Sequence, residues 1–179
     1  NLAANLQGVR ERIRRAAATA GRSVDSVTLL AVSKTHPVDL ISGAAQEGLK
    51  HFGESYVQEA LPKIETLTGQ ELTWHFIGQL QGNKTKAVAE HFAWVHGVDR
   101  LRIARRLSDQ RPFHSPPLNV CLQVNIGGES TKGGVTPEEL PELAQAVAAL
   151  PRIPLRGLMC IPPPEEDAAR QRHWFRETA

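Results

Sequence analysis

Cysteine is scarce in this 179-residue chain. Cys121 and Cys160 lie far apart with no CxxC spacing, so neither a zinc ribbon nor a disulfide scaffold is indicated. Two thiols in a chain of this size suit a reducing cytoplasm. The histidines form no HxH, HxxxH or HExxH pair, which leaves a metal site without sequence support. No apolar run approaches the ~18 residues of a membrane-spanning helix. Charge of one sign is lacking too: 21 basic residues face 19 acidic ones. That balance gives no electrostatic case for a nucleic-acid or membrane partner. Arg10, Arg12, Arg14 and Arg15 are the one basic cluster, and they read as the solvated face of a helix. What remains is ordinary for a globular chain: 41% apolar and 22% charged residues, too apolar for disorder.

Apolar residues at positions 2, 6, 9, 13, 16, 17 and 20 form a helical stripe that stops at Gly21. The run 27–32 is nearly all apolar and predicts a strand buried on both faces, as in a parallel sheet. The unit then recurs. Helices are predicted over 37–48, 56–67, from Asn83 towards His91, from Asp99 as a cap, and over 137–150. Strands are predicted at 51–53, 73–77, 92–98, 118–126 and 155–161. Six strands in a regular β–α beat argue for an α/β fold in one domain, most of a (β/α)8 barrel, with a doubly wound sheet as the alternative.

Either architecture binds ligands beyond the carboxyl ends of its strands. The first strand ends in Ser33-Lys34-Thr35. A lysine with its stem among apolar neighbours would have its pKa lowered and its amine free to form a Schiff base; the plainer reading is a lysine reaching water. The second strand ends in Gly53-Glu54-Ser55-Tyr56. His75, inside the third strand, is either a hydrogen-bonded core residue or the wall of a site. Asn125 ends the fifth strand, where it could serve a ligand or simply a turn. Two glycine-rich stretches, 78–85 and 127–134, fail the phosphate-loop requirement and read as sheet-to-helix turns.

Taken together, five blocks resemble the pyridoxal phosphate homeostasis proteins, single-domain relatives of the alanine racemase barrel. They are residues 30–37 around Ser33-Lys34-Thr35, 51–59 around Gly53-Glu54-Ser55-Tyr56, 74–84 around His75-Phe76-Ile77-Gly78, Val124-Asn125-Ile126 with Lys132-Gly133, and Leu155-Arg156-Gly157-Leu158-Met159. The resemblance implies a (β/α)8 TIM barrel of the alanine racemase N-terminal type over residues 1–179. It places pyridoxal 5′-phosphate on Lys34 as an internal aldimine, with Ser55, His75, Asn125 and Met159 around the cofactor. Ser55 departs from the family's usual asparagine. These proteins are regarded as cytoplasmic carriers or regulators of cellular pyridoxal phosphate without established catalytic turnover; pyridoxal-phosphate-dependent apo-enzymes are the implied recipients, and a monomer the implied state. A racemase or decarboxylase of the same barrel class and a cofactor-free Schiff-base aldolase stay open. Racemases of this class pair the lysine with a tyrosine at a separate β-domain. This chain has one tyrosine, Tyr56, and nothing here supports two-base stereoinversion.

Six strands are counted where a closed barrel has eight, and the chain starts without Met and stops inside a helical pattern. The expectation is that the natural protein continues for about two more β/α units. The resemblance puts the phosphate contacts and an arginine facing the pyridine nitrogen in those units, so the 179 residues alone should hold the cofactor weakly.

Overall fold

Asn1 opens the first helix by accepting the amide of Ala4 through its side chain, and α1 (Leu2–Thr19) follows. Leu6 and Ala17 bury its apolar stripe, while Arg14 and Arg15 lie in solvent and share Glu11, the solvated face expected of them. The computed structural model describes residues 1–179. Six strands alternate with the remaining helices: β1 (Ala31–Val32), α2 (Val38–Gln46), β2 (His51–Glu54), α3 (Val57–Thr66), β3 (Thr73–Phe76), α4 (Thr85–His91), β4 (Trp94–Val98), α5 (Leu101–Gln110), β5 (Asn119–Gln123), α6 (Leu140–Ala148), β6 (Leu155–Met159) and α7 (Ala168–Thr178). No helix is long and apolar enough to cross a membrane.

The strands form one parallel sheet in the order β1-β2-β3-β4-β5-β6. Each strand is followed by a helix and pairs with the next strand in sequence. Right-handed crossovers then put the connecting helices α2–α6 on the same face. A doubly wound sheet needs a reversal of strand order, and none exists here. The winding is therefore that of a barrel.

Strand parity divides the side chains. Phe52, Phe76, Val95, Val98, Val120 and Leu122 face the helices and pack with Ala60, Val88, Ala104, Leu107 and Val147 into one core. The opposite parity of β2–β5 carries His51, Gly53, His75, Trp94, Cys121 and Gln123. That face, the inside of the curve, is polar and aromatic rather than aliphatic.

Several elements differ from the sequence reading. β1 is two residues rather than the predicted six, and it is not buried on both faces: Val27 is 39% and Val32 50% exposed. β1 has one neighbour in the sheet, so only one of its edges is laddered, and the apolar residues before it stay outside the pairing. Asp99 does not cap α5. Arg100 occupies that position without a side-chain bond, and Asp99 Oδ2 instead accepts the amide of Gly134 at 3.0 Å. α6 begins at Leu140 rather than 137. Ahead of it, Thr136 Oγ1 accepts the amide of Glu139 while Glu139 Oε2 accepts that of Thr136, a capping box that spans Pro137. The helix expected from Asn83 is a 3₁₀ turn (Gly82–Lys84) running into α4.

Candidate functional site at the carboxyl ends of the strands

Lys34 lies in the turn that follows β1 and is exposed rather than desolvated, which corrects the expectation of a stem held among apolar neighbours. It lies two residues past Val32, whose register partner is Gly53 on the inner face. Its ammonium joins none of the ion pairs of the chain.

The turn itself is tied from several sides. The Ser33 amide and hydroxyl both donate to Gly53 O, at 2.9 and 3.2 Å. His36 N donates back to Ser33 O at 3.0 Å. Thr35 adopts φ +66°, the left-handed region that a β-branched residue rarely enters. Its amide donates to Glu59 Oε1 of α3. From the same helix, Lys63 Nζ reaches Ser33 O at 3.0 Å, Glu59 Oε1 at 2.7 Å and Glu54 Oε1 at 2.6 Å. Glu54 is 1% exposed. It meets Lys63 as an ion-pair contact outside hydrogen-bond geometry, and no donor satisfies its second oxygen.

Burial pushes the Glu54 carboxyl up, against the pull of Lys63. Burial also opposes the charge on Lys63, but its ion pairs with Glu54 and Glu59 outweigh that, and the net direction is up. Lys63 first and the Thr35 amide second hold Glu59 below the ordinary carboxylate range. Both nearby carboxylates are thus engaged by Lys63, which leaves Lys34 as the unpaired cation at this end of β1.

The inner face holds a chain of three imidazoles. His51 Nδ1 lies 2.9 Å from His75 Nε2, and His75 Nδ1 lies 2.8 Å from His96 Nε2. A neutral ring has one donor and one acceptor, so both contacts are satisfied only when the three rings donate in the same direction along the chain. His75 also stacks on Trp94 at 5.6 Å. Burial first, then the neighbouring His96 and His51, lowers its pKa to about 3. The rings are linked edge to edge, and no cluster of three His, Cys, Asp or Glu side chains is arranged to hold a metal. His75 is therefore a hydrogen-bonded core histidine that also backs the inner wall.

Ser55 follows β2 and is half-buried. A Cβ on Gly78 would stand 2.5 Å from Ser55 O, and one on Gly97 would stand 2.8 Å from Gly78 O and 3.2 Å from Gln123 Oε1. The missing side chains let the ends of β2, β3, β4 and β5 close into a continuous step. Asn125 follows β5, but its amide is spent on its own loop. It donates to Glu129 O at 2.6 Å and accepts from Glu129 N at 3.1 Å. Met159 ends β6 opposite Gln123, on the inner face. Tyr56 precedes α3 and is 56% exposed. The stretch after β3 and the loop 127–134 are sheet-to-helix connections, as expected.

Two features were missed in the sequence: the Glu54–Lys63–Glu59 cluster and the roles of His51 and His96. The i,i+4 spacing of Glu59 and Lys63 was a usable signal for the first. The second required the register of three strands.

A barrel of parallel β/α units with a free lysine at the end of its first strand defines a class. The family described as "Alanine racemase, N-terminal domain" matches residues 4–179. The pyridoxal phosphate homeostasis protein of Pseudomonas aeruginosa is 56% identical over 174 residues, covering 97% of this chain and 76% of that protein. The Escherichia coli protein of the same name is 53% identical over 182 residues, covering 100% of this chain and 78% of that one. Among solved structures, PipY of Synechococcus elongatus with PLP bound is 36% identical with a TM-score of 0.78, over 93% of this chain and 77% of that one. The chain belongs to the pyridoxal phosphate homeostasis protein family, within the alanine racemase N-terminal fold. Six of the eight β/α units of a (β/α)8 barrel are accordingly described here.

Proposed function

We propose that this chain binds pyridoxal 5′-phosphate through a covalent C=N link to Lys34 and serves pyridoxal phosphate homeostasis, with no substrate turnover of its own. The observation that carries the reading is the unpaired Lys34 amine just past β1, in a turn whose Ser33 carbonyl and Thr35 amide are held by α3. Similarity to the homeostasis proteins and to PipY with PLP bound supports it. The donor set fits the group: a primary amine free of carboxylates beside a polar inner face. The cofactor supplies an aldehyde, whose carbon joins the amine with loss of water.

The other residues divide by what their polar atoms have left to offer. Ser55, with its hydroxyl in no bond to the protein, and Met159, on the inner face, line the cofactor directly. His75 and Asn125, whose side-chain atoms are spent on His51, His96 and the 125–132 loop, brace the wall from behind. Tyr56, the one tyrosine, is exposed ahead of α3. The protein acts as one barrel domain and as a monomer in the cytoplasm, passing cofactor to pyridoxal-phosphate-dependent apo-enzymes.

Titration with pyridoxal phosphate, followed by visible absorbance, tests the reading. The parent should develop the band of a pyridoxal imine, and Lys34→Ala should not, with circular dichroism unchanged. Alanine racemisation should stay below about 1 s⁻¹, the low end of typical turnover. An unaltered band in Lys34→Ala, or racemisation above that rate, contradicts it.

A further inference from the structure

Lys34 owes its place to a turn, not to a strand. β1 ends at Val32, and an exposed lysine on a short turn would sample many positions unless the backbone beneath it were fixed. The backbone here holds Thr35 at φ +66°, a conformation that persists in a β-branched residue only where the surroundings over-determine it. The Glu59 carboxylate takes the Thr35 amide, and Lys63 takes the Ser33 carbonyl. These two bonds bracket Lys34 on either side along the chain. Both come from one turn of α3, where Glu59 and Lys63 are four residues apart and paired at 2.7 Å. Lys63 is in turn anchored on the buried Glu54 at the end of β2.

We propose that Glu59 and Lys63, anchored by Glu54, are positioning residues: they lock the Ser33–Thr35 backbone and so hold the Lys34 amine where it reacts. The inference rests on the assignment of Lys34 as the cofactor lysine and names the residues that make that lysine competent. None of the three needs to touch the cofactor. Their effect passes through two backbone bonds, and misplacing a reacting group by about an ångström can cost on the order of a hundredfold in rate.

The test compares the parent chain with Glu59→Ala and Glu59→Gln. Glu59 is the member of the cluster that reaches solvent, with a side chain 31% exposed, so its replacement leaves the core closed. Each protein is mixed with pyridoxal phosphate and quenched with borohydride over time, and the label is quantified by peptide mass spectrometry at Lys34, Lys50 and Lys86. The last two are exposed lysines, one ahead of β2 and one on α4, and serve as internal controls. Glu59→Ala should slow labelling of Lys34 by about tenfold and leave Lys50 and Lys86 unchanged. Glu59→Gln, whose amide oxygen can still accept the Thr35 N–H, should recover most of the rate. Hydrogen exchange at the Thr35 amide should follow the same order, slow in the parent and in Glu59→Gln and fast in Glu59→Ala.

A role in stability alone would lower the urea midpoint of Glu59→Ala without changing labelling at Lys34. That result overturns the proposal, as does a Glu59→Gln protein that labels as slowly as Glu59→Ala. A parent that labels Lys34 no faster than Lys50 fails earlier, because it removes Lys34 as the cofactor lysine.

Discussion

Acidification should destabilise this fold through His75. The ring is 5% exposed, and its pKa is lowered from 6.5 to about 3 by burial and by the flanking His96 and His51. In the unfolded chain the same ring titrates near its ordinary value, about 6.5. Between those two values the unfolded state binds a proton that the native state refuses. Stability then rises with pH across the window and falls as pH drops below about 6.5. Integrated from about pH 7 to about pH 5, the loss is about 2 kcal/mol for His75 alone. His96, also lowered by burial, adds to it in the same direction. Glu54 works the other way, since its raised carboxyl takes up a proton in the native state as pH falls. The parent curve therefore mixes signs, and a comparison is needed. Urea unfolding of the parent and of His75→Gln at both pH values isolates the ring: the variant should lose about 2 kcal/mol less on acidification. Equal losses in the two proteins would refute the claim that His75 is held neutral.

Lys63→Met leaves Glu54 buried without its cation and should cost about 3–5 kcal/mol in urea unfolding; a loss under about 1 kcal/mol would show that solvent reaches that carboxylate. Gly78→Ala brings a methyl to 2.5 Å from Ser55 O, so the ends of β2 and β3 must part, at about 1–3 kcal/mol, with weaker cofactor uptake read by absorbance titration. Gly157→Ala serves as the contrast: no atom stands within 4 Å of the added carbon, and unfolding free energy should change by no more than about 1 kcal/mol.

The β–α beat was legible because strands and helices announce themselves by period and by punctuation at glycine and proline. Phe52, Phe76, Val95, Val120 and Leu122 lie in stretches read as strands from the sequence and belong to the core of the structure. β1 was overestimated for a physical reason. An apolar run predicts burial only if partners flank it, and a string of residues does not reveal that β1 has one neighbour. Asp99 looked like a helix cap by position, yet its carboxylate crosses 35 residues of sequence to Gly134. Lys34 could be singled out as a strand-end lysine, while the reason it is unpaired could not. That reason is the capture of Glu54 and Glu59 by Lys63, which depends on β2 and α3 folding back beside β1. Ser55 follows the second strand as read, Met159 ends a strand that the sequence reading carried on to Ile161, and Asn125 serves its own loop.

Borohydride reduction of the pyridoxal-phosphate-treated protein, followed by peptide mapping, tests the central claim most directly. The account predicts the principal pyridoxyl adduct on Lys34, formed ahead of those on Lys50 and Lys86, and its disappearance in Lys34→Ala. An adduct placed solely on Lys84 or Lys132 would contradict it.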